Sequence, residues 1–445
     1  MRAMFDWDRL AATLANALKA AYAADPPVPS LGDDASRLAV PSEGRGDGCL
    51  ADLLGHIVDG SAHLASLSMI GHMDTAPDPI AVIADAVASA LNNNLLFREL
   101  SPLASRIEET LVSHFAERIG FPRDAGGVFQ SGGSAANLCA LFGAMGGFSN
   151  EESREGARLF VAGATHSSIA KSAHVLGLAP GQIETVPGDA EGRMDPGPLD
   201  QALSRGRGRK IVAATLGSTV HGAVEPLADI AACCARHGAW LHVDAVFGGA
   251  LMYSEAHGHL LRGIEQADSV ALGPQKWMYV PRLCAVVLMR DRATFEQRLA
   301  YPMPYSVTGE VHRGQWGIQS SRRTDPVPLW VMLQVYGTRQ FGRWVDHAID
   351  LGKRYHALLS ESSVFRPTHV PDLNVLCFRL GADASDDRYV RLHKALTRSG
   401  RAWVSLARWK DALLFRSVLL NRSLDGSALR THLADLEAIA RDTLE

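Results

Sequence analysis

Cysteine is scarce in this chain: six in 445 residues, at Cys49, Cys139, Cys233, Cys234, Cys284 and Cys377. None has CxxC spacing, which speaks against a metal framework, and adjacent Cys233 and Cys234 read as reduced thiols in a helical stretch. An excess of one charge is also missing. Lysine and arginine total 44 against 48 acidic residues, a formal net charge of -4. That balance gives no reason to expect nucleic acid or a membrane surface as partner. No apolar run is long enough to span a bilayer. The opening MRAMFDWDRL carries acids and no apolar core, so it does not read as a secretory signal. Internal repeats and low-complexity tracts are absent. What is present is an ordinary globular balance, 47% hydrophobic and 21% charged. At this length two lobes or more are expected. The expected location is cytoplasmic.

Leu10, Leu14, Leu18 and Tyr22 recur at helical spacing and predict an amphipathic helix over 1–24. Residues 25–48, rich in Pro, Gly and Asp, read as a linker or exposed loop. Helices are predicted over 79–97, opening after PDP, and over 102–119, with Gly120 as the stop. From Gly127 the pattern alternates. GVFQS, ARLFVAG, KIVAATL, WLHVDAV, SVALGP and LCAVVLMR read as strands. Helices start at Ser134 and span 167–177 and 227–237. This alternation predicts an α/β fold, a mostly parallel sheet with helices on both faces. Residues 301–325 read as a long loop, and a long helix follows from Pro328 to 361. NVLCFRL, a helix at 385–399 and strands at 402–407 and 412–420 predict a small C-terminal α+β domain. The expected division is 1–78 as an N-terminal helical, dimerising segment, 79–337 as the large domain and 338–445 as the small one.

QSGGSAANLCAL places Gly132, Gly133 and Ser134 at a helix start. Glycines let a backbone approach an anion, and first-turn N–H groups point at it. Many strand–Gly–helix junctions bind nothing, so this motif alone is weak. His166 follows a strand and suits either stacking on a planar ligand or a satisfied strand-end role. Thr219 follows TLGS at another strand end, where ligands bind in open α/β sheets. Simple turn chemistry is the alternative there. Asp244 ends the apolar run AWLHV, and a carboxylate so placed needs a cation, from a side chain or from a ligand. Lys276 lies in GPQKWMYVP among Pro274, Trp277, Met278 and Pro281. It is either a snorkelling lysine or one held deprotonated for condensation with an aldehyde. An anion cradle, an acid for a pyridinium nitrogen and an amine for an aldehyde are the contacts that pyridoxal 5'-phosphate (PLP) needs. Each follows a strand, in the order expected of one site at one sheet edge.

These blocks resemble the group II PLP-dependent amino-acid decarboxylases, the family of aromatic-amino-acid, glutamate, cysteine-sulfinate and diaminobutyrate decarboxylases. The resemblance runs from about residue 50 to 425. QSGGSAANLCAL is similar to the family's phosphate motif, THSSIAKSA to its ring-stacking motif, and TLGSTVHGAVEPL with WLHVDAVFGG to its central block. GPQKWMYVP is similar to its lysine motif, and WGIQSSRR and LLFRSVLLNRS match two later blocks. The resemblance implies fold type I, PLP as cofactor and a homodimer that shares its active site. It implies that Lys276 carries the cofactor, Asp244 pairs with the pyridine nitrogen and His166 stacks on the ring. Gly133 and Ser134 would hold phosphate, Gln275 would donate to it, and Thr219 would touch the cofactor. Tyr305, in YPMPYSVTG, matches the loop tyrosine that protonates the substrate carbon, with Tyr301 as rival. Arg416 matches the arginine that meets the substrate carboxylate. His72, Asp74 and Thr75, in SMIGHMDTAPDP, match the substrate-pocket region.

The chain departs from the family's pattern at three positions: Gln275 where histidine is usual, Gly273 where asparagine is frequent, and Val246 where a small alanine is usual. The loop before WGIQSSRR is also short. The function so implied is decarboxylation of an L-amino acid to the amine and carbon dioxide. Decarboxylation coupled to oxidative deamination, and a non-catalytic binding protein on the same fold, are the alternatives. Asp74 suits a substrate with a distal ammonium, or else a place near the start of the next helix.

Overall fold

The apolar runs between Gly126 and Met289 pair into one seven-stranded sheet. Its strands are β1 (Gly126–Gln130), β2 (Arg158–Val161), β3 (Ile183–Thr185), β4 (Lys210–Thr215), β5 (Trp240–Ala245), β6 (Ser269–Leu272) and β7 (Ala285–Met289). Their order is β1-β7-β6-β5-β4-β2-β3. From β6 to β3 every pair is parallel, while β7 runs antiparallel to both neighbours, so β1 points the same way as β6. Continuous burial along these strands suits a sheet covered on both faces. The structure, a computed structural model, describes residues 6–29, 38–149, 156–205, 208–303, 312–381 and 384–444.

Two compact units emerge: Pro77–Asp350 with Pro371–Asn374, and Met1–Ala76 with Leu351–Val370 and Val375–Glu445. The first holds the large sheet. Its helices include α3 (Pro79–Leu91), α4 (Pro102–Arg118), α5 (Gly133–Ala144), α6 (Ser167–Val175), α7 (Pro196–Ser204), α8 (Leu227–His237) and α9 (Arg292–Leu299). The helix expected over 79–97 stops at Leu91, because Asn92 adopts a left-handed φ of 47°. Asn94 then spends its side-chain oxygen on the backbone N–H groups of Leu96 and Arg322, a local bond that competes with helix. The helix expected from Pro328 is α10 (Pro326–Glu361), broken at Gly337 with φ 68° and ψ 161°. Strand β3 and helices α7 and α9 are short and carry little periodicity, so the sequence does not announce them.

A buried ion cluster ties the first unit together. Glu108 of α4 accepts from Arg322 at 2.7 and 3.2 Å and from the Phe129 backbone N–H of β1 at 2.8 Å, with Arg313 Nε 3.6 Å away. Burial raises the Glu108 pKa, but the two guanidiniums outweigh it and hold the carboxyl below its ordinary value. The described part of the expected 301–325 loop is thus anchored rather than loose.

The second unit carries a four-stranded antiparallel sheet in the order β10 (Ser405–Trp409), β11 (Ala412–Val418), β9 (Val375–Leu380), β8 (Phe365–Pro367). Phe365, Phe378 and Phe415 pack with Leu392 of α11 (Asp386–Ser399) and Leu436 of α12 (Gly426–Leu444). Helices α1 (Trp7–Ala23) and α2 (Leu50–Asp59) belong to this unit and pack on each other. No residue of α1 is buried, and Trp7 and Leu14 are exposed. No helix of the described residues is long and apolar enough to cross a membrane. All six cysteines are free thiols.

Candidate active site

β1 turns into α5 through Gly132, whose φ is 91°. Among the described residues no side chain caps α5, whose first-turn N–H groups, as at any helix start, have no intrahelical acceptor. A Cβ on Gly133 would come within 2.8 Å of a Val246 methyl, and one on Gly132 within 3.0 Å of Leu283. Glycine is therefore required for this close approach. Ser134 is exposed at the first turn. Gln275 lies beside Gly132, and its side-chain oxygen accepts the Cys284 N–H at 2.9 Å. That bond leaves the amide nitrogen as the end available to an anion.

Lys276 is half-buried in a turn after β6, with its N–H bonded to the Gly273 carbonyl at 3.0 Å. Trp277, Met278, Tyr279 and Val280 beyond it are buried, and Trp277 meets Phe247 edge-on at 5.1 Å. Asp244 stands near the end of β5, opposite Thr215 of β4 and Ala271 of β6. It is 5% exposed. Asn137 donates to its Oδ2 at 2.8 Å and the Val246 N–H to its Oδ1 at 3.2 Å. Among the described residues it makes no ion pair. Thr219 is half-buried in the turn after β4. His166 caps α6, with Nδ1 2.7 Å from Ser168 Oγ and accepting the Ser168 N–H at 3.2 Å. Gly133, Ser134, His166, Thr219 and Lys276 follow, and Asp244 stands at, the carboxyl ends of strands that run in one direction, the edge where open α/β sheets bind ligands.

Of the remaining candidates, Arg416, His72, Asp74 and Thr75 lie in the other unit, and Tyr301 lies in the large one. Arg416 is buried in β11, donating to Ser405 Oγ at 3.1 Å and to the Gly71 carbonyl at 3.4 Å, and burial lowers its pKa. His72 Nδ1 sits 2.8 Å from Asp74 Oδ2, and Thr75 is half-buried. The residue that caps α3 is Asp78, through its bond to the Ile80 N–H. Tyr305 falls outside the described residues. Tyr301 is 59% exposed, and its ring lies 4.9 Å from that of Phe148.

Sequence reasoning missed three groups here. Asn137 sits inside the quoted glycine motif, one turn after Gly133 and on the same helix face. His242 precedes Asp244 by two residues on a strand and so shares its face. Glu225 is buried with an unpartnered Oε2 among the described residues, and burial pushes its carboxyl well above the ordinary value. The first two were legible from spacing, whereas nothing in GAVEPL announces the third.

A cradle that a Cβ would fill suits a phosphate, a buried acid without an ion pair among the described residues suits a protonated pyridine, and Lys276 offers an amine. PLP carries the complementary groups, and the residues present fit it. With a sheet of this order, the molecule falls in the class of fold-type I PLP enzymes. Residues 38–381 match the model of the pyridoxal-dependent decarboxylase conserved domain. An aromatic-L-amino-acid decarboxylase of Bacillus atrophaeus is 29% identical over 82% of this chain and 79% of its own length. A glutamate decarboxylase-like protein of Gibberella zeae is 31% identical over 73% and 72%. The crystal structure of mouse CSAD superposes with a TM-score of 0.88 at 25% identity, covering 98% of this chain and 100% of that one. The chain belongs to the pyridoxal-dependent decarboxylase family.

Proposed function

We propose that this pyridoxal-dependent decarboxylase acts on an L-amino acid, releasing carbon dioxide and the amine, at the strand edge marked by Asp244 and Lys276. The observation that carries the reading is Asp244: buried, supplied with donors, and without an ion pair among the described residues. Bound there, the cofactor supplies an electron-accepting ring for the pair left when the carboxylate departs. Asp244 keeps a proton on the pyridine nitrogen. Lys276 holds the cofactor covalently through Nζ. The first-turn N–H groups at Gly133 and Ser134, the Ser134 hydroxyl and the Gln275 amide hold the phosphate. His166 covers the ring and Thr219 donates to the cofactor. Arg416 binds the substrate carboxylate, and Tyr305, with Tyr301 as the rival, delivers a proton to the substrate carbon.

His72, Asp74 and Thr75 face the substrate side chain, and Asp74 favours a distal ammonium. The protein works in the cytoplasm as a homodimer that shares its site, with residues 1–78 as the dimerising segment. Exposed apolar side chains on α1 (Trp7, Leu14), α2 (Leu53, Ile57) and α3 (Ile83, Val87, Leu91) support an assembly. The test is a screen of the twenty amino acids with ornithine, diaminobutyrate and cysteine sulfinate, reading carbon dioxide, amine, aldehyde and peroxide together. Equal carbon dioxide and amine from one substrate is the expected result. Aldehyde with peroxide would replace the amine reading, and no carbon dioxide from any substrate would remove it.

A further inference from the structure

One buried hydrogen-bond chain links residues that the reaction so far leaves out. Trp240 Nε1 lies 3.0 Å from Ser269 Oγ, which lies 3.0 Å from His242 Nδ1. His242 Nε2 is 3.1 Å from Asn137 Oδ1. Asn137 Nδ2 reaches Asp244 Oδ2 at 2.8 Å and Ser168 Oγ at 3.0 Å. Ser168 Oγ is 2.7 Å from His166 Nδ1. Asn137, Ser168, His242, Asp244 and Ser269 are all buried.

The directions follow from the Asp244 end: the Asn137 amide nitrogen faces Asp244 Oδ2, so the amide oxygen faces His242 Nε2, which donates to it. A reversed amide would set a carbonyl oxygen against the Asp244 carboxylate. Both amide hydrogens thus point at Asp244 and Ser168. Burial lowers the His242 pKa to about 4, so the ring is neutral and carries a single proton. With the His242 proton on Nε2, facing Asn137 Oδ1, Nδ1 is an acceptor and the Ser269 hydroxyl donates to it. An indole N–H only donates, so Ser269 Oγ accepts from Trp240. His166 Nδ1 accepts the Ser168 backbone N–H, so it is an acceptor for the Ser168 hydroxyl too, and the ring N–H sits on Nε2.

We propose that Asn137 is a positioning residue for Asp244, the junction of a one-way chain that starts at Trp240 and delivers only donors to Asp244 and, through Ser168, to His166. This rests on the proposed role of Asp244. With Asn137 and the Val246 N–H donating to its two oxygens, the carboxylate is held in one orientation. The same chain leaves His166 with a defined tautomer.

The test substitutes Asn137→Asp, nearly the same shape, and measures PLP affinity of reconstituted apoprotein by absorbance from pH 6 to 8.5. The titratable groups facing position 137 are Asp244 and His242 on β5 and, through Ser168, His166 on α6. At low pH the new carboxyl is protonated and donates to Asp244 as the amide did. At high pH two carboxylates confront each other, and affinity relative to wild type falls about ten-fold or more, one pKa unit's worth. A merely structural asparagine would give a loss that is equal at every pH. That result, or no loss, overturns the proposal. Should Asn137→Asp not fold, Ser269→Ala serves, since Ser269 does not touch Asp244 yet donates to His242 Nδ1. The expected result is a fall in PLP affinity of about three-fold or more with an unchanged apoprotein melting temperature, a loss consistent with network coupling. Unchanged affinity overturns the chain. A wild type that binds no PLP sinks the site itself, whereas normal wild-type binding with a flat Asn137→Asp profile sinks only this inference.

Discussion

Asp244 is legible in the sequence as a charge problem, because a carboxylate at the end of AWLHV requires a cation. Asp244→Asn keeps the shape and removes the charge. The expected outcome is partial PLP retention with kcat lower by about a thousand-fold or more, roughly 4 kcal/mol of transition-state stabilisation. Steady-state carbon dioxide release on reconstituted protein checks it. Gly133 is a second residue whose meaning lies in distance. Gly133→Ala places a methyl 2.8 Å from Val246, so PLP affinity should fall by about ten-fold while Val246→Ala in the same chain restores part of it, as coupled neighbours do. Titration of the two single variants and the double variant reads the coupling. Val246 also explains Gly273, since a Cβ at 273 would collide with the Val246 carbonyl and crowd its side chain. Two departures from the family's pattern are thus one packing fact, which the sequence displays as two unrelated letters.

At the scale of elements, strong periodicity and clear stops made the helices over 102–118 and 227–237 and the central strands readable. Gly120 and Gly238 adopt positive φ where the helices end, as the stop signals imply. Elements without that contrast were not readable. Strand β3 and the short helices α7 and α9 are of that kind, each helix held by a single cap, Asp195 on α7 and Asp291 on α9, whereas α12 does carry helical spacing in Leu429, Leu433 and Leu436. The candidate residues at strand ends were legible because alternating strands and helices put them in sequence order. The bonds among Asn137, His242 and Ser269 were not, because they join α5, β5 and β6 across the sheet. Gly337 interrupts α10 in a backbone region reserved for glycine. Gly337→Ala should lower stability by about 1–3 kcal/mol, read from the urea midpoint at constant m.

At the scale of the whole molecule, the large unit is pinned by charge inside its core. Glu108→Gln removes the carboxylate that Arg322 pairs with and leaves Arg313 only Glu109, 3.9 Å away, and should cost about 3–5 kcal/mol by chemical denaturation. The pH dependence has a definite sign. Glu108 is held below its ordinary value when folded, so its stabilisation is present above the unfolded value and is lost as pH falls through the folded one. The wild type should therefore lose stability on acidification over that window, and Glu108→Gln should show a flatter acid limb.

The central claim is that Lys276, in the turn after β6, holds the cofactor at the edge marked by Asp244. Borohydride reduction of PLP-loaded protein, followed by peptide mass mapping, tests it most directly. A pyridoxyl group on Lys276 is the predicted result, and a label on Lys171 or Lys210 instead, or on no lysine, would contradict it.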